Sequence, residues 1–235
     1  MPNHFLKIFG VEMPSDFPAS VCEAVYWLVD RKRRTSPPEI WGQYRDAWKA
    51  LSYHYLSCAI HDESYTASAK HHGDSPPHPE RHNQEHHLFG FFYTGLASLE
   101  ALHYGLFAMG ALVRPQEFLL VTDDNRREAT PQNTFMTYAR VFPNEALTLA
   151  LGALKTAQEW KAWNVTRNVL SHRMSPGRDY LLSTAESGPG GAVWPIQNGI
   201  EIAIDTGTTS SRREWLSRQL FQILDSTHSF ATQHF

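Results

Sequence analysis

Apolar residues recur at helical spacing along most of the chain, and the segments they mark predict a bundle of helices with one short stretch of β-structure. Residues 1–15 read as an irregular lead-in or a short pairing segment. Ser15-Asp16-Phe17-Pro18 is a capping start for a helix carrying Val21, Val25, Leu28 and Val29, which runs to Arg31-Lys32-Arg33-Arg34. Past Ser36-Pro37-Pro38, residues Trp41, Tyr44, Trp48, Leu51 and Tyr55 form an aromatic stripe that reads as core-facing. The longest pattern spans Pro79 to Leu112 and carries Leu88, Phe91, Phe92, Leu96, Leu99, Leu102, Leu106, Met109 and Leu112, ending before Arg114-Pro115. Residues Thr122 to Glu128 read as a charged, exposed loop, and Thr130-Pro131 as the cap and first turn of a short helix to Val141. Pro143-Asn144-Glu145 opens a further helix, with Leu147, Leu151, Leu154, Ala157 and then Trp160 or Trp163 facing inward, that continues through residue 172.

After Ser175-Pro176-Gly177 the period changes. Tyr180-Leu181-Leu182 has strand character, and Val193 to Ile196 is set to pair with Ile200 to Ile204 across the Asn198-Gly199 turn signal. A last helix, about 208–232, carries Trp215, Leu216, Leu220, Ile223 and Leu224. The expected fold is all-α: one antiparallel helical bundle over residues 1–235, with a small β-hairpin at about 179–205 walling one side of a groove.

Composition narrows the function classes. With 235 residues and a formal charge of −3, the chain has no global basic footprint, so RNA contact requires a local patch. Aromatic content of 12% argues against disorder. Cys22 and Cys58 each lie in an apolar helical pattern and read as buried thiols, which fits a reducing, cytoplasmic setting. No targeting segment is visible, and the apolar run from Leu88 to Val113 is interrupted by Glu100, His103 and glycines, as a core helix is and a membrane span is not.

Two clusters carry candidate chemistry. His71, His72, His78, His82, His86 and His87 crowd around Gly73-Asp74-Ser75-Pro76-Pro77, which must be a loop between two helices. His82 and His86, at i and i+4, have the spacing to share a metal with His78 or Glu85 as third ligand; a solvated loop is the other reading. The second cluster is Arg167-Asn168-Val169-Leu170-Ser171-His172. On a helix Asn168 and His172 share a face, about 40° apart and roughly 6 Å along the axis, while Arg167 leans toward Ser171. A guanidinium fork and an imidazole titrating near neutrality suit a phosphodiester: one holds the anion, the other moves protons. Glu100, set among Leu99, Ala101 and Leu102, is costly to bury without a cation, and Arg167 is the partner it predicts. Tyr93 stands two turns away on the same side, and His103 either joins this polar cluster or is a hydrogen-bonded core histidine. Between residues 150 and 178, Lys155, Lys161, Arg167, Arg173 and Arg178 stand against Glu159 alone, a surplus that an RNA backbone or a merely solvated face would equally produce.

The string Arg167-Asn168 through His172 resembles the R-N-x-x-x-H signature of the HEPN superfamily, small all-helical domains that include metal-independent RNases of toxin and phage-defence systems. The resemblance covers about residues 79–178. It implies an endoribonuclease without cofactor, acting on RNA as a twofold homodimer in which two motifs face one another, with an antitoxin or other protein as a further partner and no membrane. His172 would shuttle protons, Arg167 would stabilise the phosphorane, Asn168 would orient either, Glu100 would hold Arg167, and Tyr93 would add a supporting hydroxyl. Ser171 and His103 would support the site, and Lys161, Arg173 and Arg178 would meet the RNA. The same residues also fit a non-catalytic module binding nucleotides, RNA or a protein, with Arg167, Asn168 and Glu100 as a polar brace between helices. Nucleophilic cysteine or serine chemistry has no motif here, and Gly188-Pro189-Gly190-Gly191 lacks the lysine and helix of a phosphate loop.

Overall fold

The computed structural model describes residues 4–6, 9–172, 177–181, 191–197 and 199–235. Among these the chain runs β1 (His4–Leu6), β2 (Val11–Met13), α1 (Ala19–Asp30), α2 (Pro38–His72), α3 (His78–Val113), α4 (Asp123–Glu128), α5 (Pro131–Val141), α6 (Ala146–Thr156), α7 (Gln158–His172), β3 (Asp179–Leu181), β4 (Gly191–Pro195), β5 (Glu201–Ile204) and α8 (Ser210–His234). The fold is therefore predominantly helical, as the periodicity predicts. The lead-in takes its pairing form: β1 and β2 make an antiparallel hairpin turned at Gly10, whose φ of 65° favours glycine.

Backbone contacts divide the chain into two compact units. One comprises Met1–Leu56, Ala97–Ala157 and Leu216–Phe235; the other comprises Ser57–Leu96 and Gln158–Trp215. In the first, the α2 stripe is buried as expected, with Trp41, Tyr44, Trp48, Leu51 and Tyr55 all core residues. Tyr44 packs between Trp41 and Trp48 at ring-centre distances of 5.4 and 5.0 Å, and Trp48 sits against Gly105 of α3, where a Cβ would come within 2.8 Å of its ring. A second aromatic cluster gathers Phe118, Tyr138, Phe142 and Phe230, with the Tyr138 hydroxyl donating to the Leu106 carbonyl at 2.8 Å. The expected Ser15/Asp16 cap is not made: α1 has no side-chain cap, and the Asp16 carboxylate accepts the Tyr55 hydroxyl at 2.6 Å instead. Tertiary use of the carboxylate outcompetes local capping.

Two other departures concern helix ends. Residues 123–128 are helix α4 rather than loop, because Thr122 and Asn125 close a reciprocal capping box and Arg126 pairs with Asp123 one turn away. The helix expected to run unbroken from Glu145 to residue 172 is interrupted at Ala157, which is extended (φ −63°, ψ 133°). There the Ala157 N–H turns back to the Leu154 carbonyl and the Thr156 hydroxyl donates to the Ala153 carbonyl at 3.0 Å, satisfying the end of α6 before α7 starts. α6 belongs to the first unit and α7 to the second.

In the second unit the expected hairpin is the β4-β5 pair of a three-stranded antiparallel sheet, order β3-β4-β5, with Trp194 opposite Ile202 and Ala192 opposite Ile204. Those four side chains are buried, while Val193 and Ala203 alternate with them on the more exposed face. Gly199 takes the left-handed conformation (φ 73°) that the turn requires; Asn198 lies outside the described residues. α3 is long and apolar enough to cross a membrane, and 67% of its most apolar window is buried within the protein.

His103 lies on α3 in the first unit and is buried, its Nδ1 donating to the Leu99 carbonyl at 2.8 Å. Of its two readings the core histidine stands. Burial disfavours the charged imidazolium and pushes its pKa down to about 4, from an ordinary 6.5. The unfolded chain therefore takes up a proton that the native state refuses, and the stability this residue contributes is complete above pH 6.5 and lost as pH falls toward 4. From pH 7 to pH 5 the expected loss from this site is roughly 2 kcal/mol. Urea unfolding of wild type and His103→Gln at the two pH values checks it. Equal losses in the two proteins would exclude the assignment.

Candidate functional site

The motif lies on α7, and what fixes α7 is Trp163. Its indole is fully buried among Phe91 (5.1 Å between ring centres), Phe92 (5.4 Å) and Trp215 (6.4 Å). It lies directly on the backbone of α3 at Gly95, where a Cβ would come within 2.1 Å of the ring. The indole N–H donates to Glu159 Oε1 at 3.2 Å, and the same carboxylate meets Arg212 Nε of α8 at 3.2 Å. Arg212 also donates to the Thr208 carbonyl at 2.7 Å and lies over the Phe92 ring at 5.8 Å. Glu159, the one acid of the predicted basic stretch, is thus a structural anchor.

From Trp163 the helical period assigns each motif position. Thr166 and Val169 are buried, and Arg167 is half-buried. Asn168 is exposed, on the same outer flank as the exposed Lys161. The Cα of His172, one turn beyond Asn168, continues that flank; its side chain, like Arg173, lies outside the described residues. Arg167 and His172 are five residues apart, so their Cα positions stand about 140° apart around the helix axis. Ser171 Oγ is buried, with no hydrogen-bond partner among the described residues.

The remaining candidates lie outside α7. Tyr93 is exposed on α3 and stacks parallel on the ring of Phe89 at 6.1 Å. Glu100 is half-buried and lies in the first unit, where burial pushes the pKa of His54 down and the Glu100 charge opposes it only in part. Arg178 does not offer itself to RNA: its side chain is 1% exposed, bound to Glu85 Oε1 at 3.2 Å and to the Asp74 carbonyl at 2.8 Å. Lys155 lies in the first unit, 5.0 Å from the Phe135 ring centre. The basic surplus read from sequence is thereby distributed, leaving Lys161 and Arg167 as the described cations of α7.

The groove walled by the small sheet, about 520 Å³, is lined by Ala69, Gly73 and Asp74 at the end of α2, by Val193 and Ala203 of the strands and by Asp205 just after β5. Among the described residues, none of the motif lines it. His78 and His82 are exposed on α3, and among the described residues no three His, Cys, Asp or Glu side chains converge on one point, so the set His78, His82 and His86 is not assembled. Sequence reasoning missed a different association: His61 of α2 and His87 of α3 bring their Nδ1 atoms to 3.2 Å. Burial, and then the neighbouring imidazoles His87 and His86, push the pKa of His61 down; burial and His86 do the same to His87. The legible signal was symmetry, since His61 and His87 stand equally far in sequence from Asp74 of the connecting loop.

No family model, curated protein or solved structure matches this chain.

Proposed function

We propose that this chain is a metal-independent endoribonuclease of HEPN type, cytoplasmic and acting as a homodimer. The observation that carries the reading is that Arg167, Asn168, Ser171 and His172 all fall on one regular helix, Gln158–His172, which exposes Asn168. The resemblance of these residues to the family motif adds the reaction. In that reaction the RNA 2′-oxygen attacks phosphorus, its proton passes to a base, the bond from phosphorus to the 5′-oxygen breaks, and an acid protonates the leaving oxygen. The products carry 2′,3′-cyclic phosphate and 5′-hydroxyl ends.

His172 acts as the proton shuttle, Arg167 balances charge on the five-coordinate phosphorus, and Asn168 orients a phosphate oxygen or the imidazole. Two proton transfers call for two imidazoles, and the wide angle between Arg167 and His172 on one helix favours a cleft to which two copies contribute. A toxin or antiviral-defence role, with an antitoxin or other protein partner, follows from the resemblance alone.

The test is cleavage of an RNA pool in EDTA together with the mass in solution. The expected result is cyclic-phosphate products from a protein of twice the chain mass. A strict monomer, or the absence of EDTA-resistant cleavage, overturns the nuclease reading and leaves α7 as a face for non-catalytic binding of RNA, nucleotide or protein.

A further inference from the structure

Within the second unit, what α3 shows to solvent between residues 78 and 93 is chiefly rings. His78, His82, His86, Phe89 and Tyr93 are all exposed, Phe89 by 37% and Tyr93 by 49%. At i, i+4, i+8, i+11 and i+15 they fall within an arc of about 80° on the helix and extend over about 22 Å of its length. Phe89 and Tyr93 hold their ring planes 10° from parallel, with centres 6.1 Å apart. No carboxylate interrupts the arc: Glu80 falls on the opposite flank, and Glu85, just past its edge, is bound by Arg178 at 3.2 Å. Immediately before the stripe, the last turn of α2 presents Lys70, His71 and His72, all exposed, against the half-buried Asp74 of the connecting turn.

We propose that this flank of α3 is a stacking platform for single-stranded RNA, with Phe89 and Tyr93 each taking a base and His86, His82 and His78 continuing the track toward Lys70. Adjacent exposed aromatics leave apolar area in water that a partner covers, and the partner follows from what the stripe lacks. It carries no Leu, Ile, Val or Met, the side chains that seat a helix in a groove or against a second copy of the chain, and three of its five rings are polar imidazoles. Rings that climb the axis in steps of about 4.5–6 Å, with N–H donors among them and a cation at one end, suit a flexible strand whose flat bases stack while its phosphates run alongside. A duplex, whose bases already stack on one another, gives these rings nothing to hold. The inference rests on the reading of this chain as one that acts on RNA, and it names the form of RNA and the surface that receives it, away from α7.

The test is fluorescence anisotropy of the full chain in EDTA with a labelled single strand of about 12 nucleotides whose riboses are 2′-O-methylated, so that no attacking hydroxyl is present and binding is read without cleavage. Saturable binding is expected. Phe89→Ala and Tyr93→Ala should each weaken it by about fivefold or more, Tyr93→Phe should keep it, and Tyr93→Leu, which retains bulk but removes the ring face, should lose as much as alanine. Both positions are exposed, so the variants should melt with wild type and the loss stands apart from misfolding. No saturable binding, undiminished affinity in both alanine variants, full affinity in Tyr93→Leu, or a duplex bound as tightly as the strand would overturn the platform. So would a halved mass in solution for either alanine variant with RNA binding intact, which would assign the face to a second copy of the chain. Cleavage is scored separately: ring-dependent binding by a chain that cuts no RNA removes the nuclease and leaves the platform, and cleavage with wild-type binding in both alanine variants does the reverse.

Discussion

His172→Ala should lower EDTA-resistant RNA cleavage by about 10²- to 10⁴-fold, the range supplied by a positioned proton-transfer group. The loss should fall on turnover with little change in RNA affinity, because the imidazole's work is done in the transition state. Arg167→Ala should also abolish cleavage. Arg167→Lys should recover only part of it, since an ammonium restores the charge but not the two-pronged geometry of the guanidinium. Substitution at Arg178 should behave differently: a side chain 1% exposed and bound to Glu85 and Asp74 affects folding before it affects RNA. Melting temperature and cleavage measured on the same preparations separate the two classes. Full activity in purified His172→Ala would end the nuclease assignment whatever the other variants do.

Trp163→Ala is expected to have the largest effect on stability, about 3–5 kcal/mol and a fall in Tm of roughly 10 °C. The indole is fully buried, three aromatic neighbours lose their contacts with it, and Glu159 keeps Arg212 but loses the N–H it accepts. Gly95→Ala attacks the same contact from the other side, with a Cβ at 2.1 Å from the ring and 3.1 Å from Cys58 Sγ. The two changes should couple strongly: Gly95→Ala costs much in wild type and little once residue 163 is alanine, giving an interaction energy on the order of 1–3 kcal/mol in a double-mutant cycle. Additive losses would mean that the indole can move aside and that α7 is held by something else.

The sequence made α2, α3 and α8 legible because each buries a long apolar stripe that its period identifies, and α5 because Thr130-Pro131 marks its cap and first turn. α4 buries no residue, so periodicity is silent there, and the signal was the Thr122/Asn125 box. The break at Ala157 was hidden because apolar spacing runs on through Leu147, Leu151 and Leu154, and one residue's backbone angles decide it. In the site, the helical setting of Arg167 through His172 was legible from spacing, whereas the fate of Arg178 was not. Its partners Glu85 and Asp74 are 93 and 104 residues away in sequence, and no local pattern announces a buried cation. His61 was overlooked because it stands outside the dense histidine run, on the far arm of the helical hairpin.

Gly90 and Gly95 cut two notches in α3, one filled by the His61 ring from α2 and the other by the Trp163 ring from α7. Each notch and its occupant should be inherited as a couple. In a saturation library selected for folded protein, side chains at 90 should survive only beside a shrunken residue 61, and those at 95 only beside a shrunken residue 163, so that two pairs of positions, distant in sequence, mutate in step.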